Sequence, residues 1–182
     1  MVTPDQIAKA TGATLMWAQN WSGAINDAMI WYDIDSPARQ AAFLAQIGEE
    51  SGHLVFVREE WGPTPEQRTY EGRHDLGNVQ PGDGYRFMGR GLIQITGRAN
   101  YTLCRDGMAS TLADVPDIVA QPQLLEVLRW AAMSAGWFWN EHDCNELADA
   151  GMFETITRRI NGGLNGYDVR CALWSCAKEA LA

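Results

Sequence analysis

The chain has 182 residues, 46% of them apolar and 20% charged, with a formal net charge of −9. That length suits one well-buried domain, the apolar content excludes disorder, and the negative balance argues against nucleic acid, which needs a basic face to displace counterions. No stretch approaches the roughly 20 apolar residues that span a bilayer, and no basic start followed by an apolar run marks a signal peptide, so the protein is expected in the cytoplasm without stable membrane insertion.

Thr3-Pro4-Asp5 reads as a cap with proline in the first turn, opening a short helix that closes before Gly12. A second helix runs from about Thr14 to Tyr32, its buried face marked by Leu15, Ala18, Trp21, Ile25, Ala28 and Met29. Ser36-Pro37 starts a third, along which Ala41, Leu44, Ala45 and Gly48 recur before Ser51-Gly52 ends it. Small residues on that face let another helix approach closely. From Arg58 to Met88 the periodicity disappears, and Gly62-Pro63, Gly72, Gly77-Asn78 and Pro81-Gly82 punctuate a loop too long for a connector.

Leu92 to Thr96 reads as a short extended segment, followed by a helix from about Arg98 to Asp106. Gln123 to Asn140 is apolar enough to be the central buried helix. Asn145–Ala150 and Met152–Ile160 make two shorter helices, Asn161 to Gly166 a turn, and Asp168–Leu181 the last helix. Most of the eight Trp are expected in the core, and Cys104, Cys144, Cys171 and Cys176 read as free thiols in or near it. A zinc site from His142, Cys144 and the Cys171/Cys176 pair lacks the usual Cys-x-x-Cys spacing, so no metal is expected.

Charge is unevenly spread. Arg58 to Arg105 holds seven arginines against six acids, whereas Asp106 to Ala182 holds eleven acids against five bases. The loop region is therefore the least acidic part and suits a neutral or anionic polymer lying across it. Trp61, Tyr70, Tyr85 and Phe87 sit there, where rings either stack on sugars or pack locally. Gly82-x-Gly84 and Gly89-x-Gly91 lack the Gly-Lys-Ser/Thr and the strand–turn–helix frame of a phosphate loop. His53 and His74 lie near acids without triad spacing.

The third helix ends in Glu49-Glu50, and Glu59-Glu60 follow at its exit. Cleaving a glycosidic bond takes one carboxylic acid to protonate the leaving oxygen and one carboxylate to activate water or attack directly. Glu49, Glu50, Glu59 and Glu60 supply the residue types. Adjacent glutamates on helices are ordinarily solvated faces, so the pairs alone do not decide.

Their surroundings do more. Phe43–Gly52, Leu76–Tyr101, Pro122–Trp139 and Arg159–Gly166 closely resemble glycoside hydrolase family 19, in particular its bacterial and phage branch of chitinase-like lytic enzymes. The likeness covers nearly the whole chain in order. It implies Glu50 as general acid and Glu59 as general base, with Glu60, where the family often has Asn, as the second candidate base. Gln94, Thr96 and Asn100 match the family's Gln-x-Ser/Thr-x-x-x-Asn, in which the hydroxyl helps hold the attacking water and the amides bind sugar. Asn161 matches the Asn of Ile-Asn-Gly-Gly, and Arg170 loosely matches a downstream Arg near the base. Of the loop-region rings, Tyr85 is the candidate sugar contact, a reading from its place in the chain and not from the resemblance. Two departures stand out: Glu49 replaces a common His before the acid, and Asn165 stands where plant chitinases carry Glu.

The expectation is thus a mostly α-helical, lysozyme-like single domain over residues 1–182, of about eight helices with a loop-rich active-site lobe and no separate binding module. The resemblance implies an endolysin that hydrolyses β-1,4 bonds of peptidoglycan, muramidase-type and inverting, with carboxyls roughly 6.5 to 9.5 Å apart. It would act as a monomer without cofactor, held in the host cytoplasm until a separate holin lets it reach the periplasm and wall. Chitin is the alternative substrate. A non-catalytic glycan-binding protein is an alternative of another class, as is an acidic interaction protein, which leaves the run Gly89 to Thr96 unexplained.

Overall fold

Three capped helices set the frame of the computed structural model, which describes residues 1–182. Thr3, Thr14 and Ser36 each take extended backbone angles, and each hydroxyl accepts the N–H three residues on. That satisfies donors a helix start otherwise leaves orphaned, so α1 (Pro4–Thr11), α2 (Leu15–Trp31) and α3 (Pro37–Glu50) begin where the sequence places them. Helix α3 is buried along eight consecutive residues, Ala41 to Gly48, and packs against α1, α8 (Cys144–Asp149) and, most extensively, α10 (Tyr167–Leu181). Gly48 is what lets α1 in, because a Cβ there would stand 2.7 Å from the Thr11 carbonyl.

The second buried helix is α7 (Leu128–Glu141), with Ala131 to Trp137 and Trp139 inside. It packs on α2 and α6 (Arg98–Ala109). Phe43 and Trp139 meet edge to face at 5.3 Å and join the two halves of one continuous core of 38 residues. Helix α9 (Phe153–Asn161) completes the helical body. No helix is long and apolar enough to cross a membrane.

The fold is mostly helical, without strands, as expected. It has ten α-helices rather than eight, because α4 (Pro65–Arg68) and α5 (Asp83–Arg86) are single turns inside the loop region. Three readings need correction. Leu15 is 45% exposed, so the buried face of α2 starts at Ala18. The apolar run from Gln123 is not one helix: Pro122–Glu126 is a 3₁₀ turn and Val127 is extended, which turns Glu126 toward Arg90 at 2.8 Å. Leu92–Thr96 is a tight turn, not an extended segment, closed by Arg90 and Ile95 exchanging backbone hydrogen bonds.

Cys104 and Cys144 are buried and burial pushes both thiols up, Cys144 to about 12, whereas Cys171 is half-buried and Cys176 exposed. His142 turns Nδ1 to the Phe138 carbonyl and stacks on that ring at 3.8 Å, and no three metal-ligating side chains converge anywhere.

The loop region holds its shape through carboxylates that accept backbone N–H groups. Glu71 accepts from Gly82 and Gly84, and Asp83 accepts from Gln80. Asp83, 1% exposed, is also gripped through both oxygens by Arg98, whose guanidinium lies 4.6 Å over the Phe87 ring. This pair fastens the loop lobe to α6.

The Arg98 guanidinium holds the Asp83 carboxyl below its ordinary value. A depressed carboxyl contributes stability that is complete above the unfolded value of about 3.9 and is lost as pH falls through the folded one. Asp83→Asn is therefore expected to lower unfolding free energy by about 3 kcal/mol at pH 7. The gap to wild type should narrow as pH falls below the ordinary carboxylate value, read by urea unfolding at neutral and at acid pH.

Candidate active site

The end of α3 and the segment that follows it build the site. After Glu50 the chain reverses sharply: Gly52, His53 and Leu54 all take left-handed backbone angles. Ser51 stabilises the reversal, its hydroxyl donating to the Ile47 carbonyl at 2.6 Å and accepting the Leu54 N–H at 2.8 Å. Trp21 Nε1 ties the Leu54 carbonyl down at 3.0 Å. Val57 then accepts from Gly91, and Glu59 N donates to the Gly89 carbonyl at 2.9 Å. Residues 57–59 are thereby laid beside the turn that carries Gln94 and Thr96.

Glu50 projects from the last turn of α3 with its side chain 14% exposed. Its Oε1 accepts from Arg170 Nη2 at 2.5 Å, and Oε2 has no protein partner. Arg170, 2% exposed on α10, also donates to Gln46 Oε1 at 2.5 Å and to the Asn165 carbonyl at 3.2 Å. Gln46 in turn donates to Thr157 Oγ1 on α9 at 2.7 Å. Arg170 thus sits beside Glu50, the expected acid, and not beside the expected base. Glu49 lies against Gly166, where a Cβ would come within 2.3 Å of its Oε1.

Glu59 is met only by donors. Gln67 Nε2 reaches Oε1 at 2.9 Å, the Tyr70 hydroxyl reaches the same oxygen at 3.3 Å, and Gly89 N–H reaches Oε2 at 3.1 Å. Glu60 is exposed and its side chain makes no hydrogen bond; its carbonyl accepts from Gln67. Glu59 lines a cavity of about 810 Å³ with Val55, Phe56, Trp61, Tyr85 and Met88. Tyr85 is 58% exposed there and meets Trp61 edge to face at 5.2 Å, whereas Phe87 is fully buried against Tyr101 and is no sugar platform.

A second cavity, about 780 Å³, brings together Gln94, Thr96, Asn100 and Asn161, with Trp137 at its wall. Gln94, at φ 57°, donates through Nε2 to the Gly91 carbonyl. Thr96 donates its hydroxyl proton to the Gln94 carbonyl at 2.9 Å, and Asn100 donates to the Thr96 carbonyl at 2.7 Å. Asn161 Oδ1 is buried without a partner. Gly89 stands between residues that line the two cavities: a Cβ on it would meet Gln94 Oε1 at 2.7 Å and Thr96 Oγ1 at 3.2 Å, and its N–H holds Glu59. Glu50, the last residue of α3, lines neither cavity.

Sequence reasoning passes over Gln46 and Gln67, the two buried amides that carry these contacts. For Gln67 a signal existed. Thr64-Pro65-Glu66-Gln67 repeats the pattern of Thr3-Pro4-Asp5-Gln6, and both form capping boxes.

The chain is 36% identical over 163 residues to a glycosyl hydrolase family 19 domain-containing protein of Haemophilus influenzae, covering 75% of this chain and 76% of that one. It is 35% identical over 127 residues to an endochitinase of Arabidopsis thaliana and 30% identical over 147 residues to chitinase 4 of rice, but spans only 39% and 47% of their lengths. No protein-family model matches. Among solved structures, a bacterial family 19 chitinase aligns with a TM-score of 0.74 at 21% identity, covering 100% of this chain and 95% of that one. Chitinase C from Streptomyces griseus aligns at 0.73 and 21%, covering 99% and 76%. At that identity the likeness is one of fold.

Removing the guanidinium strands Glu50 and the Gln46 carbonyl oxygen without donors. Arg170→Met is expected to cost about 3 kcal/mol in denaturant unfolding. Arg170→Lys should recover only part of it, because an ammonium cannot serve three acceptors in the plane of a guanidinium.

Proposed function

The chain belongs to glycosyl hydrolase family 19, and from that premise we propose that it cleaves β-1,4 bonds of peptidoglycan with inversion, Glu50 acting as acid and Glu59 as base. The observation that carries the reading is that two carboxylates flank one short segment and each keeps lone-pair capacity on Oε2: that of Glu50 has no partner, and that of Glu59 takes only the Gly89 N–H. In turnover, Glu50 Oε2 gives its proton to the glycosidic oxygen as the bond to the anomeric carbon breaks. Glu59 takes a proton from the water that attacks that carbon from the opposite face. Thr96 has already committed its hydroxyl proton to the Gln94 carbonyl, so its oxygen accepts the water's second hydrogen and aims the lone pair at the sugar. The cycle ends with Glu50 ionised and Glu59 protonated, and exchange with solvent restores both.

Arg170 suits the acid by what it does after proton transfer. It contacts Oε1, leaves Oε2 to carry the proton, and faces the carboxylate that forms with a fixed cation. Gln94, Asn100 and Asn161 offer amides to N-acetylated sugars, and the partnerless Asn161 Oδ1 suits an acetamido N–H. Peptidoglycan is favoured by the open apolar wall of Val55, Phe56 and Tyr85 beside Glu59, with Arg58 at its edge, which leaves room for a lactyl-peptide substituent. Chitin is the second reading, favoured by what the plant relatives are named for. As an endolysin the protein would reach the wall after a separate holin opens the inner membrane.

Glu50→Gln and Glu59→Gln should each lower kcat by about 10²–10⁴-fold while leaving the fold intact. Proton NMR of fresh digests should show the α-anomer first from the β-linked substrate; a β product would sink the inverting scheme. Mass spectrometry of fragments from purified peptidoglycan should find reducing ends at muramic acid. Cleavage of chitin oligomers with no release from peptidoglycan would hand the assignment to the second reading.

A further inference from the structure

Gln67 is 4% exposed, and every hydrogen-bonding position of its amide is used. Its Oε1 accepts two backbone N–H groups, Thr64 at 2.7 Å and Gly62 at 3.1 Å. Its Nε2 donates to the Glu60 carbonyl at 2.7 Å and to Glu59 Oε1 at 2.9 Å. The amide has only one workable orientation. Exchanging O and N would set an NH₂ against two N–H donors and an oxygen against a carbonyl and a carboxylate. The same side chain therefore caps α4 and presents a donor to Glu59.

A carboxylate has roughly four lone-pair sites. Gln67 and Tyr70 occupy the two on Glu59 Oε1, and Gly89 N–H takes one on Oε2. One site remains, on the oxygen beside Gly89, the residue whose other face meets Thr96 Oγ1 and Gln94 Oε1. We propose that Gln67 is a positioning residue that commits Glu59 Oε2 as the atom accepting the proton of the attacking water. The inference rests on the reading of Glu59 as base and adds which oxygen serves and what selects it.

The charged and titratable groups around Glu59 are few. Tyr70 shares Oε1, and its phenol is raised by burial and by Glu59. Arg58 and Glu60 flank it in the chain, and Tyr85 lines the same cavity. Arg90, next to Gly89, is engaged by Glu126 at 2.8 Å.

Gln67→Glu is the decisive variant, because a carboxylate still accepts from Gly62 and Thr64 while the donor to Glu59 becomes an oxygen. Two carboxylates then face each other and retain a proton between them. The acid limb of the kcat–pH profile should move up by about one pH unit or more, with kcat at pH 5 down about 10-fold and KM within about two-fold. An unmoved limb, or a kcat loss that is the same at every pH and tracks the melting temperature, overturns the positioning role. Should Gln67→Glu not fold, Gln67→Met decides: a kcat loss of about 10-fold at unchanged KM supports it, and wild-type kcat overturns it. Glu59→Gln, assayed alongside, separates the two ideas. Turnover surviving there removes Glu59 as base, whereas its loss together with an unmoved limb in Gln67→Glu removes only Gln67.

Discussion

A guanidinium 2% exposed inside a helical body is the constraint on which the site's geometry depends. Taking a cation out of water costs several kcal/mol unless acceptors replace the lost hydration. Arg170 finds three: Glu50 and Gln46 on α3, and the Asn165 carbonyl in the turn before α10. Gln46 and Glu50 are one helical turn apart, so they share a face of α3. Only while α3 and α10 hold their observed contact can one guanidinium reach both. The packing and the ion pair thus fix each other, and the last turn of α3 has one direction in which to present Glu50. Gln46 extends the restraint to α9, because Thr157 Oγ1, itself donating to the Phe153 carbonyl, takes its amide N–H.

Much of this frame is legible in the sequence where local chemistry decides. Caps followed by proline mark the starts of α1 and α3, and the small residues of α3 announce the close approach made at Gly48. Where tertiary contacts override the local pattern, the reading fails. Gln123 to Asn140 has the apolar content of one helix, yet Glu126 is drawn to Arg90 and Val127 breaks the helix, an ion pair no periodicity encodes. Leu92 to Thr96 looks extended from its isoleucines, but Gly91 and Gln94 both take positive φ and fold it into a turn. Leu15 fits the helical stripe and is left outside because the core begins a turn later. The grouping of Gln94, Thr96, Asn100 and Asn161 follows the motif, whereas Gln46 and Gln67 are visible only once the chain has folded.

The two glutamates are supported in different ways, and the difference bears on their roles. Glu50 has a cation on one oxygen; Glu59 has an amide, a phenol and a backbone N–H. A group that must end the chemical step newly ionised gains most from a charge already in place, because that interaction strengthens as the proton leaves. A group that must accept a proton would be hindered by a cation at the same distance, since the attraction would weaken as it reacts. Neutral donors hold such a group in position with a smaller loss on protonation. By this argument the partners favour the proposed assignment of Glu50 as acid and Glu59 as base. It also gives Gln67 its reason to be an amide. A lysine in its place would hold the Glu59 carboxylate against the proton it has to take, and a glutamate would compete for that proton.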